Sequence, residues 1–181
     1  MSVIQSFRNM MRYFMNVDVK QIYFDFETTG LNPYYSKIID FCFLKEPLTS
    51  DLDDSFINDI NKNANSDFIL NENYFSSLVN PEEKLKSKIT EITNITSDML
   101  VNKPTINQLA SSINDFINID NCDVYFIAHN CHGFDEIFFR RTMADNGFNL
   151  KDYNYKFIDS LYLAKKLKPD MFSYSLKTLC N

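Results

Sequence analysis

From Gln21 to Glu27 the chain alternates strictly: Ile22, Phe24 and Phe26 fall on one face of an extended strand, Tyr23, Asp25 and Glu27 on the other. An aromatic underside of this kind has to be covered, so the stretch requires a sheet with a further layer packed on it. Residues two apart in a strand project to the same side, which sets Asp25 and Glu27 next to each other. Two carboxylates a few ångströms apart repel unless a cation lies between them, and hard oxygen ligands suit Mg²⁺ or Mn²⁺. The bland reading is a pair of solvent-facing acids on an edge strand. The aromatic neighbours weigh against it, as does Thr28-Thr29-Gly30, which ends the strand at once in a tight polar turn. Such a turn offers backbone N–H groups and hydroxyls to a phosphate or a sugar.

With 181 residues, 45% of them hydrophobic and 23% charged, the chain can bury one sizeable core and is not wholly disordered. Tryptophan is absent while there are 17 phenylalanines, so that core is built around phenylalanine. No run approaches the roughly 20 apolar residues that span a bilayer, and no membrane segment is expected. The net charge of −6 argues against a broad basic face gripping a long nucleic-acid backbone. The charge is uneven, however. Residues 1–121 hold 10 basic and 17 acidic residues, whereas residues 122–181 hold 8 and 7, so phosphate contacts are expected from Arg140, Arg141, Lys165, Lys166 and Lys168. Cys42, Cys122, Cys131 and Cys180 contain no C-x-x-C pair, which fits reduced thiols in a cytoplasmic, cytosol-like compartment. Residues 1–19 form an amphipathic appendage, with Ile4, Phe7, Met11, Phe14 and Met15 at helical spacing. Arg8 and Arg12 without any acid before Asp18 would also suit a mitochondrial presequence; a helix packed on the domain is the preferred reading.

Residues 20–181 read as one domain. Lys37–Leu44 is a second strand, residues 46–73 a polar and acidic surface insertion, and Tyr74–Val79 a third strand stopped by Asn80-Pro81. A helix or irregular turn follows through Ile89 and Ile92. Thr105 and Gln108 cap a helix whose apolar stripe is Ile106, Leu109, Ile113, Phe116 and Ile117. Val124–Ala128 is a buried strand, Phe134–Gly147 a helix stopped by its glycine, and Lys156–Ile158 a short strand. A helix ending at Pro169 and the start of another at Ser175–Leu179 complete the chain. The pattern is an α/β fold: a mixed sheet flanked by helices.

The second chemical stretch is Ala128-His129-Asn130-Cys131-His132-Gly133-Phe134-Asp135. It leaves a buried strand and opens a helix, with Asp135 in the first turn. An acid there can be a helix-dipole partner and no more. It can also reach across to a metal held by the first strand. Cys131, His129 and His132 form a third, local reading as a zinc site, separable by elemental analysis.

Together these stretches resemble the DnaQ-like 3′–5′ exonucleases of the DEDD superfamily. Asp25 to Leu31 matches the first motif, acid-x-acid followed by Thr and Gly, and His129-Asn130 with Phe134-Asp135 matches the second. Ile92-Thr93-Asn94-Ile95-Thr96 resembles the family's His-Gly-Ile-Thr segment, with Asn94 replacing the usual glycine. The resemblance implies an RNase H-like sheet, three antiparallel strands and then parallel ones. It implies two-metal hydrolysis at the 3′ end of single-stranded or frayed DNA or RNA. Asp25, Glu27 and Asp135 are the implied catalytic and metal-binding residues, holding two Mg²⁺ or Mn²⁺ ions. Thr28, Thr29, Gly30 and Leu31 would seat the terminal nucleotide, with Leu31 against its base; His129 and Asn130 would contact substrate or fix the Asp135 loop.

The family's third motif supplies a His or Tyr base and a fourth acid on a C-terminal helix, and it lies beyond Leu179. The sequence has two histidines, His129 and His132, both in the second motif. Asp159 is a candidate substitute acid, although the family places an acid there for local structure. Asp170 and Tyr174 are weaker stand-ins. The expectation is therefore an exonuclease slowed by the missing motif, exposing apolar surface or completed by a second polypeptide. The alternative is a catalytically impaired module that binds nucleic-acid ends or a protein.

Overall fold

The computed structural model describes residues 19–45, 68–119 and 123–180. The amphipathic appendage, most of the acidic insertion and Cys122 lie outside the described residues. Alternation makes the first strand, β1 (Val19–Thr28), slightly longer than the sequence pattern predicts. β2 (Ile38–Lys45), β3 (Ile69–Leu70) and β4 (Tyr74–Leu78) follow as antiparallel partners, and β5 (Asp123–Ala128) and β6 (Tyr155–Asp159) as parallel ones. The sheet order is β3-β4-β2-β1-β5-β6, the mixed arrangement expected. β3 corrects the reading of residues 46–73 as insertion throughout. Its apolar Ile69 and Leu70 pair with β4, and the Phe68 ring before them rests edge-on against Phe75 at 5.8 Å.

Register follows the phenylalanines. Phe24 lies opposite Phe43, and Phe43 opposite Phe75, on one face of three adjacent strands. Two helices cover that face: α3 (Ile106–Ile117) and α4 (Asp135–Asp145), after the short α1 (Ser87–Thr93) and α2 (Ser97–Leu100). The Phe139 ring of α4 sits 5.8 Å from Phe24, 5.8 Å from Phe26 and 5.3 Å from Phe43. From α3, Phe116 meets Phe75 at 5.7 Å. Full burial of such a ring is worth about 1.5–3 kcal/mol. A slip of one residue would turn Phe24 and Phe26 away from the core and carry Asp25 and Glu27 into it, so the register is tightly specified.

The caps behave as their residues demand. The Thr105 N–H donates to Gln108 Oε1 at 2.8 Å, closing the start of α3. Gly147, at φ +86°, ends α4: its N–H donates to the Ala144 carbonyl at 3.0 Å and that of Phe148 to Met143 at 2.8 Å. Asn94 takes φ 60° at the end of α1, a left-handed conformation that asparagine tolerates next best after glycine. That conformation accounts for Asn94 at a position where the resembling family carries glycine. α5 (Ser160–Leu167) and α6 (Leu176–Leu179) complete the described chain. No described helix is long and apolar enough to cross a membrane.

The topology prepares a site at β1, where the antiparallel and parallel halves meet. β1 and β5 pair from Val19–Asp123 to Tyr23–Ile127. Beyond Tyr23 the two strands share no further pairing, and Asp25 to Thr28 is held from the β2 side. A crevice at the carboxyl end of a strand, where the sheet reverses, is the usual binding position in α/β folds.

Candidate active site

Asp25 and Glu27 project from the face of β1 opposite the phenylalanine core, as their parity requires. Asp135 approaches from the start of α4, 109 residues later in the chain than Phe26, and its Oδ1 accepts the Phe26 N–H at 3.2 Å, filling the place that β5 no longer occupies. Asp135 is 3% exposed, yet it has no basic partner among the described residues. Burial, followed by the negative charge of Asp25, pushes its carboxyl up to about 7, against the pull of the Phe26 amide.

A fourth acid belongs to the group. Asp40 stands directly opposite Glu27 in the β1–β2 pair. Burial and then the charge of Glu27 push its carboxyl up to about 7. Burial also raises Glu27, with Asp25 adding to the effect. Asp25 lies nearest solvent; the protein crowding it raises its carboxyl, and His129 draws it back down. No lysine or arginine among the described residues forms an ion pair with any of the four. Sequence reasoning missed Asp40. The signal was its alternation with Phe41 and Phe43, but pairing it with Glu27 needs the hairpin register, which shifts between Glu27 and Thr28.

The turn after β1 is ordered by its own hydroxyls. The Thr28 hydroxyl donates to the Gly30 carbonyl at 2.7 Å and is buried. Thr29 Oγ1 accepts the Lys37 N–H at 3.1 Å, while the Thr29 N–H donates to the Lys37 carbonyl at 2.9 Å. A Cβ on Gly30 would come 2.8 Å from Ser36 Oγ, so the backbone passes close there. Leu31 projects from this turn 85% exposed.

The second stretch is held by Asp159. Its Oδ1 accepts N–H groups from Asn130 (3.1 Å), Leu161 (2.9 Å) and Tyr162 (3.3 Å), and its Oδ2 that of His132 (3.3 Å). One carboxylate thus caps α5 and fastens the loop that leads into Asp135. Both of its oxygens are engaged by backbone, which is how the structure places the acid considered as a substitute ligand. Asn130 sits at φ 61° and is exposed, and His129 Nδ1 lies 3.1 Å from Ser160 Oγ. Tyr174, the weak stand-in base, donates its hydroxyl to the Lys168 carbonyl at 2.7 Å.

The local zinc reading regroups. Ligand atoms of Cys131, His132 and Glu136 lie within 4.8 Å of one another, and His129 is not among them. Cys131 is fully buried and its thiol is pushed up to about 12, chiefly by burial, which disfavours a thiolate. Glu136 is already bound by His132 at 2.6 Å and Arg140 at 2.8 Å.

The four-acid group fits a divalent cation better. Its donors are hard oxygens; neighbouring acid charge helps to raise Glu27, Asp40 and Asp135, and the basic group acting on Asp25 is His129.

Solved structures similar to the chain carry the same fold. The zinc-bound E. coli exonuclease I–single-stranded DNA complex aligns with TM-score 0.65 at 16% identity, covering 89% of this chain and 34% of that one. Apo exonuclease I aligns with TM-score 0.64 at 16% identity, over 89% and 36%. In sequence, the PolC-type DNA polymerase III of Halalkalibacterium halodurans is 30% identical over 164 residues, and that of Bacillus cereus 28% over 162. These matches cover 91% and 88% of this chain but 10% and 9% of the relatives, so the chain spans about a tenth of their length. The family model described as exonuclease, RNase_T, matches residues 54–181, most of the chain. By that match over most of its length, the chain belongs to the RNase_T exonuclease family.

Proposed function

We propose that the chain is a metal-dependent exonuclease that removes nucleotides from the 3′ end of DNA or RNA. Family membership supports nuclease chemistry, that is, phosphodiester hydrolysis; the direction, the metal and the residues are our reading. The observation that carries it is the convergence of Asp25, Glu27 and Asp135 on one open strand end, three carboxyls raised by burial, two of them further by the charge of Asp25, with no lysine or arginine paired to them among the described residues.

Asp25, Glu27 and Asp135 would hold two Mg²⁺ or Mn²⁺ ions, with Asp40 supporting Glu27 from β2. When bound, such ions lower the pKa of an attacking water and stabilise the leaving 3′ oxygen. The residues of the chain prepare that chemistry. The Phe26 N–H fixes one oxygen of Asp135. Asp159 sets the backbone of Asn130 and His132 before substrate arrives. His129 is oriented through Ser160, and its charge favours ionised Asp25. The Thr28–Gly30 turn, closed by its own hydroxyls, presents Leu31 to a terminal base.

The partner this reading requires is a single-stranded or frayed 3′ end. A strand terminus needs few phosphate contacts, which an acidic chain tolerates. The test is a 5′-labelled single strand with Mg²⁺ or Mn²⁺, comparing wild type with Asp25→Ala. A ladder that shortens from the 3′ end and disappears in Asp25→Ala supports the proposal. Full-length substrate in both, with retained binding, replaces it with an end-binding module.

A further inference from the structure

Beside the acid group lies a groove that the chemistry above does not use. Its volume is about 530 Å³, within the range of ~300–1,000 Å³ typical of ligand clefts. One wall is the outer face of α4, with Ile137, Arg140 and Arg141; the other is Tyr34, from the loop that continues the Thr28–Gly30 turn. Lys151 also lines it. The lining holds three cations, Arg140, Arg141 and Lys151, against one acid, Glu136, in a chain whose net charge is −6.

The cations are not equivalent. Arg140 is committed: its Nε donates to Glu136 at 2.8 Å and its guanidinium lies 4.3 Å over the Phe157 ring. Arg141 meets Asp145 at 3.3 Å across an open surface, and Lys151 forms no ion pair among the described residues. Tyr34 is 72% exposed. A positive groove with an exposed aromatic on one wall suits a sugar-phosphate strand: the cations take phosphates and the ring takes a base. The Tyr34 wall is continuous with the turn that would seat the terminal nucleotide, and the α4 wall begins at Asp135.

We propose that this groove holds the single-stranded segment immediately 5′ of the terminal nucleotide, with Arg141 and Lys151 on its phosphates and Tyr34 under a base. The inference rests on the exonuclease reading for the position of the terminus. Its test is independent of cutting: anisotropy of 5′-fluorescein-labelled dT15 and of the 5′-fluorescein-labelled mononucleotide thymidine 5′-phosphate in EDTA, with the full chain.

Wild type should bind dT15 at least about tenfold more tightly than the mononucleotide, which lacks the upstream segment. Arg141→Gln with Lys151→Gln should remove most of that difference and leave mononucleotide binding unchanged. Because two phosphates are then no longer neutralised, the slope of log affinity against log salt should fall by about 1.4. Tyr34→Ala should weaken dT15 about fivefold or more while leaving the salt slope alone. Equal losses on both lengths, no loss, or no length preference in wild type would overturn the proposal. So would a wild-type preference for a blunt duplex over dT15 that the double variant abolishes, since the groove would then serve the complementary strand. Length-dependent binding without hydrolysis in Mg²⁺ or Mn²⁺ would sink the exonuclease reading and leave the groove standing.

Discussion

Asp159→Ala separates a ligand from a scaffold. The wild-type carboxylate accepts four backbone N–H groups, two that open α5 and two in the loop that leads to Asp135. Losing an N-cap costs about 1 kcal/mol. Hydrogen bonds to a charged acceptor contribute roughly 1.5–3 kcal/mol each. The Asn130 and His132 amides belong to exposed residues and regain water, so the four do not add in full. A loss of about 3–4 kcal/mol remains, and for a domain of this size that lowers Tm by roughly 6–15 °C. Asp159→Asn keeps one acceptor for the α5 amides and loses the charge, so it should recover about half of the shift. Differential scanning fluorimetry in EDTA reads both variants, and oligonucleotide hydrolysis at 20 °C reads their activity. On the scaffold account stability and activity fall together, and Asn restores part of each. An Asp159→Ala protein that melts within about 2 °C of wild type yet is inactive would refute the reasoning and make the carboxylate a ligand.

Three other outcomes are expected. Asp40 and Asp135 have folded-state pKa values of about 7, far above those of an unfolded chain, so the folded protein binds more protons than the unfolded one between about pH 4 and 7. Metal-free protein should therefore lose stability as pH rises through that window, and Mn²⁺ should reverse the loss at pH 7.5; melting curves at five pH values, with EDTA and with Mn²⁺, check both. Asp40→Asn should raise the metal-free Tm at pH 7.5 and flatten the profile. Gly147→Ala meets no neighbour but must adopt φ +86°, which costs about 1 kcal/mol, so Tm falls by ~2–4 °C with hydrolysis unchanged. Phe24→Ala removes a ring that touches Phe26, Phe43, Phe126, Phe139 and Phe157, and a loss of about 3–5 kcal/mol should appear as a lower denaturation midpoint in urea.

What was legible in the sequence was whatever short-range periodicity controls. β1, the stripe of α3 and the glycine stop of α4 all repeat at intervals set by backbone geometry, so they can be read without knowing what they pack on. The acid pair of Asp25 and Glu27 follows from strand parity in the same way. The convergence of Asp135 on that pair was legible through the family motif and not through spacing, because a contact over 109 residues depends on the whole fold. Asp40 was hidden by a register shift, which no local pattern encodes. β3 escaped because two apolar residues at the end of an acidic tract are too short a signal. The Thr28 hydroxyl illustrates a different limit: the polar turn and the family motif point it at a ligand, and neither shows that it also donates to the Gly30 carbonyl of its own turn.

In the sheet, a side-chain carboxylate from α4 stands where a neighbouring strand would supply a carbonyl to the Phe26 amide. A strand neighbour has a fixed dipole, but Asp135 changes charge near neutral pH. The Phe26 amide proton is therefore a built-in gauge of the site. Its chemical shift and exchange rate should track the protonation of Asp135 and change again when a cation loads, so a single backbone resonance in a phenylalanine-labelled sample reports occupancy without any substrate.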